Sequence, residues 1–342
     1  MSFMKHKLIT VVLVALLVFV GMTAGCTGAS SETNADNTTS SSGFTVNVGS
    51  LKGPTSMGLV NFMEVAENNP ASLQNSYDFT IAGTADELVP KLVSGSLDIA
   101  LLPANLAATL YNRTNGGIQV LDINTLGVLY VVSGDDSLTD MQSLAGRTVL
   151  IMGKGTTPDY VFNYLLDQYG LSDKVTLEFK SEATEVAATL AADPQAVAVL
   201  PEPYVSSLSI KYPNITARIS LTDAWNACTE QSGENSQLVT GVTVVRTEFA
   251  AEHPDVVQEF MQQQALSVNA ALTDPANTAQ LVVKRGILDD AQIAQQALAR
   301  SNLVSITGEQ MQQTLEGYLQ VLYQYNADSV GGSLPGADFY YQ

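Results

Sequence analysis

Apolar side chains recur with two different periods along the chain, and the two periods predict alternating strands and helices. The segment FTVNVGS (44–50) alternates apolar and polar residues, as a half-buried strand does. Residues 59–66, and later residues 162–169, instead place apolar side chains at positions i, i+3, i+4 and i+7. That spacing gives a helix one apolar face.

Further strands are predicted where short apolar runs end at turn residues. The run LDIALLP (97–103) is almost continuously apolar, which is typical of a parallel strand buried on both faces. The other predicted strands are YDFTIAG, QVLDINT, VLYVVSG, RTVLIMG, VTLEFKS and AVAVLP. Because helical segments separate several of these strands, the pattern predicts an α/β fold with doubly wound parallel sheets.

An internal repeat indicates two such sheets. ELVPKLVSGSLDIALLP (87–103) aligns without a gap on EVAATLAADPQAVAVLP (185–201), and Glu, Leu, Ala, Leu and Pro recur at equivalent positions. A Lys-Gly turn also occurs twice, at Lys52-Gly53 and at Lys154-Gly155, with almost the same offset. The repeat predicts two copies of one α/β lobe that face each other. Chance similarity between two amphipathic units is the alternative.

The N-terminus has the pattern of a secretory signal. Two lysines precede the apolar run LITVVLVALLVFV (8–20), which is short for a membrane-spanning helix, since such a helix needs about 20 residues. The following TAGC resembles a bacterial lipobox, at which the chain is cleaved before Cys26 and the cysteine carries a lipid. We expect residues 1–25 to be a lipoprotein signal peptide and residues 26–43 a polar, flexible tether. An ordinary signal peptide or an anchor helix is the alternative.

The mature chain would be strongly acidic. The sequence has 15 Lys and Arg against 34 Asp and Glu, and removal of residues 1–25 takes two lysines with it, which leaves a net charge of −21. This balance argues against nucleic acid as a partner, because phosphate contacts need clustered Lys and Arg. Cys228 is the only cysteine besides Cys26, so the chain cannot form an internal disulfide once Cys26 carries a lipid.

The residue inventory also argues against several catalytic chemistries. His253 is the single histidine after the signal peptide and lies at a predicted helix start, so a Ser-His-Asp or Cys-His arrangement has no plausible place. Zinc needs three or four His, Cys or acidic ligands, and only acids are plentiful. The segment GKGTT lacks the first glycine of a phosphate-binding P-loop. Carboxylate acid–base chemistry stays open, because many acids always supply some pair.

Candidate contact residues follow the predicted strands, because ligands of open α/β sheets bind beyond the carboxyl ends of the strands. A glycine turn that leads into a helix exposes backbone N–H groups with a partial positive charge. Two such turns, one per lobe, predict a clamp on a small polar or anionic molecule. The candidates are Gly53, Pro54, Thr55, Ser56, Met57, Thr84, Asn105, Gly155, Thr156, Thr157 and Glu202. The alternative is that their Ser and Thr hydroxyls only cap the helices.

Four segments carry a resemblance to a known family: LVSGSLDIALLPANLAATLY, LTDMQSLAGRTVLIMGKGTTPDYVFNYLLDQYGL, AVAVLPEPYVSSL and TGVTVVRTEFAAEHPDVVQEFMQ. The chain resembles periplasmic-type solute-binding proteins of ABC importers, of the type II fold and nearest the nitrate/sulfonate/taurine branch. The resemblance implies that some of the candidates usually face the ligand cleft, namely Thr55, Asn105, Thr156, Thr157 and Glu202. The cysteine-rich motif of the thiamine-precursor binders is absent, and Lys52 and Lys154 are the only cations in the two turns.

Pattern and resemblance together predict two doubly wound lobes joined by a two-strand hinge. We expect lobe one to comprise residues 44–124 and 243–342 and lobe two residues 127–240, with hinges near Thr125–Gly127 and Thr240–Gly241. The expected function is that of a monomeric, non-enzymatic binding protein without a cofactor, anchored to the outer face of the cell membrane. It would close around a small solute and deliver it to an ABC permease and its ATPase. The alternatives are a lyase-like enzyme on the same fold and a ligand sensor.

The lipobox generates the first testable prediction. If Cys26 is the lipid-bearing residue, Cys26→Ser should abolish lipid labelling and either release the protein to the medium or leave it unprocessed. Membrane fractionation and labelling with a radioactive fatty acid measure both effects. Normal membrane retention of the variant would contradict lipidation at this cysteine.

Overall fold

The computed structural model describes residues 43–232 and 236–342. The predicted signal peptide, Cys26 and almost all of the predicted tether lie outside the described residues. Within these two ranges no helix is both long enough and apolar enough to cross a membrane.

Strands and helices alternate through most of the described chain. In chain order the strands are β1 (Thr45–Leu51), β2 (Ser76–Ala82), β3 (Ile99–Pro103), β4 (Ile118–Leu126), β5 (Leu129–Ser133), β6 (Thr148–Met152), β7 (Thr176–Lys180), β8 (Val197–Pro201), β9 (Thr216–Ser220), β10 (Val239–Arg246) and β11 (Leu303–Ile306). The segments predicted as strands from apolar runs all form strands. Sequence reasoning did not predict β9, β10 and β11. Of these, β9 and β11 are short and only partly buried, whereas β10 is long and mostly buried.

The helices of the first two-thirds of the chain lie between strands, and those of the last third follow one another. They are α1 (Pro54–Met57), α2 (Val60–Asn68), α3 (Ala85–Val93), α4 (Ala104–Thr114), α5 (Thr157–Gln168), α6 (Ala183–Ala192), α7 (Tyr204–Lys211), α8 (Leu221–Ser232), α9 (Thr247–Glu252), α10 (Pro254–Thr273), α11 (Pro275–Lys284), α12 (Ala291–Leu298) and α13 (Gly308–Tyr325). Short 3-10 turns occur at Pro70–Ser72, Met141–Leu144, Ala327–Val330 and Ala337–Phe339.

The strands form two sheets. One sheet has six strands in the order β11-β4-β10-β3-β1-β2, and the other has five in the order β7-β6-β8-β5-β9. In each sheet three strands run parallel, β2-β1-β3 and β7-β6-β8, and an antiparallel neighbour follows, β10 or β5. We call the six-stranded sheet with its helices lobe one, and the five-stranded sheet with its helices lobe two.

Both faces of each sheet are buried, as the doubly wound prediction requires. In lobe one, alternate residues of β3 belong to different apolar clusters: Ile99 and Leu101 pack on one face, and Ala100 and Leu102 on the other. Sheet β7-β6-β8-β5-β9 is divided in the same way between two clusters. One of these clusters contains residues of both lobes, so the two lobes share part of their core.

Helix α13 lies in the shared cluster. Its buried residues include Met311, Leu315 and Tyr318, and it packs against β4 and α4 of lobe one and against α5 of lobe two. The ring of Tyr318 lies 5.6 Å from that of Trp225, which in turn lies 4.7 Å from that of Tyr164 in α5. Trp225 is fully buried and is therefore a residue of the shared core.

The internal repeat has a direct structural counterpart. Residues 87–103 contain most of α3 and all of β3, and residues 185–201 contain most of α6 and all of β8. In each lobe, β3 or β8 is the parallel strand that also pairs with the antiparallel neighbour. Each repeat therefore forms the same helix–strand unit in its own lobe.

The chain passes from one sheet to the other between β4 and β5, at Gly127 and Val128. It returns between α8 and β10. The expected hinge residues Thr125 and Gly241 pair with each other within the six-stranded sheet. Both residues thus belong to paired strands, so the two crossings lie slightly nearer to lobe two than the sequence predicts.

A buried polar network lies beside this pairing. Asp122 is fully buried, and the side-chain amide of Gln264 donates to Asp122 Oδ1 at 3.4 Å and to Thr243 Oγ1 at 2.8 Å. Asn124 also donates to Thr243 Oγ1, at 3.1 Å, and accepts from Thr125 Oγ1 at 2.9 Å. Burial raises the pKa of Asp122 to about 7, and the hydrogen bonds from Thr243 and Gln264 partly oppose that rise.

Gly241 generates the second prediction, because a Cβ at this position would lie 2.6 Å from Asn124 Oδ1 and 2.8 Å from Thr55 Cγ2. Gly241→Ala should therefore destabilise the fold by about 1–3 kcal/mol, the usual cost of overpacking, as measured by urea unfolding. Gly58→Ala is the matched control, since its Cβ would meet its nearest neighbour, Val268, at an ordinary 3.5 Å. Equal urea midpoints for the two variants would contradict the close packing around Gly241.

Asp122 generates the third prediction. Its pKa in the folded chain lies above its ordinary value of 3.8. As pH rises from about 4 to about 7, the unfolded chain therefore ionises this carboxyl while the folded chain keeps it protonated, and the free energy of unfolding falls. Between about pH 5 and pH 8 this group alone should lower the free energy of unfolding by up to about 3 kcal/mol. Asp122→Asn should remove that part of the pH dependence, and Asp78→Asn, at an exposed position of β2, should not. An unchanged slope in Asp122→Asn would show that this carboxyl is ionised at no cost.

Candidate functional site

Six helix starts follow the carboxyl ends of the parallel strands. In lobe one, β1, β2 and β3 lead into α1, α3 and α4, and in lobe two, β6, β7 and β8 lead into α5, α6 and α7. This is the edge at which ligands of doubly wound sheets bind. The predicted contact residues all lie in these turns or in the first residues of these helices.

A cavity of about 420 Å³ lies between the two lobes at this edge. Its lining residues are Lys52, Gly53 and Gly83 of lobe one, Pro203, Tyr204 and Ser207 of lobe two, and Ile287, Leu288 and Asp289 of the loop before α12. The walls thus offer one ammonium group, one carboxylate, a phenol, a hydroxyl and apolar surface. A volume of this size suits a small molecule.

The first glycine turn contributes its backbone to this cavity. Gly53 has a φ of 138°, a conformation that favours glycine, and it lines the cavity directly. Thr55 is partly buried, and its hydroxyl donates to the carbonyl of Leu51 at 3.0 Å. The Pro54 ring occupies the first helical position, where no N–H is needed.

The next two predicted residues of this turn lie in the interior of lobe one. Ser56 is fully buried, and its hydroxyl bonds to Ser50 Oγ at 2.8 Å and to the carbonyl of Leu51 at 2.5 Å. Met57 is also fully buried and belongs to an apolar cluster of lobe one. Both side chains face inwards because α1 is a single turn packed on β1 and β3.

The second glycine turn is built differently. Thr156, the residue before α5, donates its hydroxyl to the carbonyl of Gly153 at 2.5 Å and does not cap the helix. Thr157 donates to Asn105 Oδ1 at 2.9 Å, and Asn105 in turn donates to the carbonyl of Ser329 at 3.4 Å. Because Thr157 belongs to lobe two and Asn105 to lobe one, this hydrogen bond joins the two lobes directly.

Lys154 lies on a different surface from Lys52. Its ammonium group is 5.6 Å from the centre of the Phe179 ring, and both residues line a groove of about 330 Å³ that also includes Asp159 and Tyr325. Lys52 and Gly53 line the inter-lobe cavity instead. The two glycine turns therefore do not share one cavity in this conformation.

Glu202 is held by helix α7, which begins two residues after it. The carboxylate is 2% exposed and accepts from the Ser206 backbone N–H at 3.2 Å and from the Ser206 hydroxyl at 3.1 Å. Arg300 Nη1 of lobe one lies 3.9 Å away. Burial raises the pKa of Glu202 to about 7, and the bonds from Ser206 and the charge of Arg300 oppose that shift. The bond between Glu202 and Pro203 is cis, and Pro203 follows directly into the cavity wall.

Thr84 and Gly155 lie at exposed turns. Thr84 precedes α3 and, with the side chain of Glu87, forms a capping box. The backbone N–H of Gly155 donates to Asp159 Oδ2 at 2.8 Å. Among the described residues, no group of three or more His, Cys, Asp or Glu side chains could hold a metal ion.

Several cavity residues were not among the sequence-predicted contacts. Ser207 lies three residues after Tyr204, so the helical spacing of α7 could have placed both on one face. Three other cavity residues, Ile287, Leu288 and Asp289, come from a loop 80 to 82 positions after Ser207 in the sequence. No local pattern connects them with the turns, because only tertiary packing brings this loop to the cleft.

No protein-family model and no curated protein matches the sequence. Solved structures do match the fold. An ABC transporter structure from Parabacteroides distasonis superposes with a TM-score of 0.74 and 22% identity, over 87% of this chain and 99% of that chain. The periplasmic aliphatic sulphonate binding protein SsuA from Escherichia coli has a TM-score of 0.68 and 10% identity, over 87% and 92%.

A third structure names the fold itself. A Candida albicans gene product, described as exhibiting the generic periplasmic binding protein structural fold, matches with a TM-score of 0.55 and 16% identity over 84% of this chain and 93% of that one. The two-sheet α/β architecture agrees with all three structures. The structural neighbours thus include solute-binding proteins of ABC importers, and the chain has the periplasmic-binding-protein fold that the sequence predicts.

Proposed function

We propose that the protein is an extracytoplasmic solute-binding protein of an ABC importer. In this proposal it is anchored to the outer face of the cell membrane through lipidated Cys26. It captures a small polar solute between lobe one and lobe two and delivers it to a permease with its own ATPase. The observation that carries the proposal is the cavity at the carboxyl ends of the strands, because both lobes supply its walls.

Closure of the lobes is the proposed working motion. Two groups of hydrogen bonds between the lobes bear on this motion. Near the crossing at Gly127, the side chain of Asn302 donates to the Gly127 carbonyl at 2.5 Å, and Tyr130 donates to the carbonyl of Arg300 at 3.1 Å. Away from that crossing, Thr157 and Asn105 meet.

The two sets of contacts have different consequences for closure. Contacts beside the crossing can persist while the lobes rotate, since the chain itself holds those residues together. The Thr157–Asn105 bond joins the start of α5 in lobe two to the start of α4 in lobe one, away from the crossing. We therefore infer that this bond contributes to the closed state rather than to the hinge.

The extent of each moving body follows from the same reasoning. We propose that residues 44–124 and 243–342 move as one lobe and residues 127–240 as the other. Thr55, Thr84, Asn105, Thr156, Thr157 and Glu202 then border the cleft from the two sides. The protein is proposed to act as a monomer, since each chain supplies both walls of its cavity.

Thr157 generates the fourth prediction. Thr157→Val keeps the side-chain shape but removes one neutral hydrogen bond, which is worth about 0.5–1.5 kcal/mol. The variant should need roughly two- to tenfold more solute to close. Small-angle X-ray scattering measures closure as a fall in the radius of gyration, with the solute that mass spectrometry identifies in the purified protein as the titrant.

The matched control is Thr176→Val, at an exposed position at the start of β7. Wild type and control should close at the same solute concentration. A radius of gyration that stays constant at saturating solute in the wild type would contradict closure as the mechanism.

A further inference from the structure

Backbone N–H groups at several helix starts of the cleft are already bound by carboxylates of the chain itself. At α3, Glu87 Oε1 accepts from the N–H groups of Gly83 and Thr84, both at 3.1 Å. At α5, Asp159 Oδ2 accepts from the N–H of Gly155 at 2.8 Å. These N–H groups are the ones that a bound oxyanion would use.

Two further helix starts, those that follow β7 and β8, also have a backbone N–H bound by a carboxylate. At α6, Glu185 Oε2 accepts from the N–H of Ser181 at 3.1 Å, and at α7, Glu202 Oε2 accepts from the N–H of Ser206 at 3.2 Å. Glu87 and Glu185 are the identical acids of the internal repeat. The repeated glutamate therefore has the same role in both lobes, namely occupying a helix start with a negative charge.

This arrangement disfavours an anionic solute. A sulfonate, sulfate or nitrate needs free donors and a positive potential. Here four of the six helix starts have bound a carboxylate, which removes a donor and adds negative charge. The remaining two are the single turn α1 and α4, where the side chain of Asn105 is bonded to Thr157 and to Ser329.

The charges around the cavity point in the same direction. Lys52 is the one cation among its lining residues, and Asp289 on the same wall balances it. Glu87 binds the lining residue Gly83, as described above. Burial raises the pKa of the Tyr204 phenol, and the nearby Glu182 carboxylate raises it further. Glu182 is therefore a second negative charge close to the cavity wall. The cavity is thus a negatively surrounded space in a chain of net charge −19.

Tyr204 gives the cavity a group that suits a cation. Its ring forms part of the lobe-two wall beside Pro203 and Ser207. The face of a tyrosine ring attracts ammonium groups, and the attraction grows when water is excluded by closure. The hydroxyl of Ser207 and the backbone at Gly53 and Gly83 remain as polar neighbours for the rest of a solute.

We propose that the solute is a small organic cation that carries an ammonium group, and not a sulfonate, sulfate or nitrate. The proposal rests on the proposed function, because it assigns a chemical class to the solute of the same cavity. In this arrangement the ammonium group lies against Tyr204 and the carboxylates around the cavity. Oxyanions would bind poorly, because four of the six helix starts already have a backbone N–H bonded to a carboxylate.

The first experiment sorts solutes by charge. The low-molecular-weight filtrate of yeast extract is separated by ion exchange into cationic, neutral and anionic fractions, and thermal unfolding of the mature chain is measured in each. Stabilisation by the cationic fraction is expected. Stabilisation by the anionic or the neutral fraction alone would overturn the proposed solute class but leave the proposed binding function intact. Stabilisation by none of them would contradict solute binding itself, and the inference with it.

The second experiment uses matched variants with the ammonium compound that mass spectrometry identifies in the stabilising fraction. Asp289→Asn removes a carboxylate from the cavity wall and should weaken binding roughly two- to fivefold. Asp173→Asn, at an exposed loop that precedes β7 and lies at the opposite edge of its sheet, should bind as wild type does. Binding to wild type should also weaken as salt rises. Tighter binding by Asp289→Asn would overturn the proposal, since it is the result expected for an anion.

Discussion

The packing of helix α13 against both lobes is the constraint on which the rest of the molecule depends. Two short crossings alone would let the lobes move in many directions. Tyr318 of α13 instead lies beside Trp225 of lobe two, in an apolar cluster that also contains residues of lobe one. Such a shared core cannot be opened without exposing large apolar side chains to water. If the lobes rotate as proposed, this side therefore stays packed and the cavity side is the one that opens.

The buried polar residues next to the crossing fix the register in which strands β4 and β10 pair. Thr243 of β10 accepts from Asn124 of β4 and from Gln264 of α10, so one hydroxyl ties two central strands and a helix together. A buried group of this kind costs free energy unless its partners are in place, which penalises a slipped strand pairing. Asp122 in the same network is costly when ionised. The sheet thus holds the hinge strands in one alignment, and the lobes can move without loss of that alignment.

The sequence predicted those parts of the fold that local patterns determine. Residues 97–103 match a buried parallel strand because both faces of β3 are covered, and apolar periodicity identified helices α2 and α5. The site was less accessible from sequence. The two glycine turns have similar sequences, but Lys52 and Lys154 line different surfaces. Their side-chain and loop partners come from distant parts of the chain, as Asp289 does, and tertiary packing alone brings these parts together.

The helix starts of this fold can satisfy their N–H groups in two ways, and the choice affects both stability and recognition. A ligand oxyanion satisfies them only when it is bound, so the free protein must leave them to water. A carboxylate three or four residues into the helix, as Glu87 and Glu185 are, satisfies them permanently and stabilises the helix dipole. The turns are then rigid before any solute arrives, which lowers the ordering cost of binding. In the proposed binding mode, recognition then comes from side chains that project beyond the turns, for which Tyr204 and Ser207 in the cavity wall are the candidates.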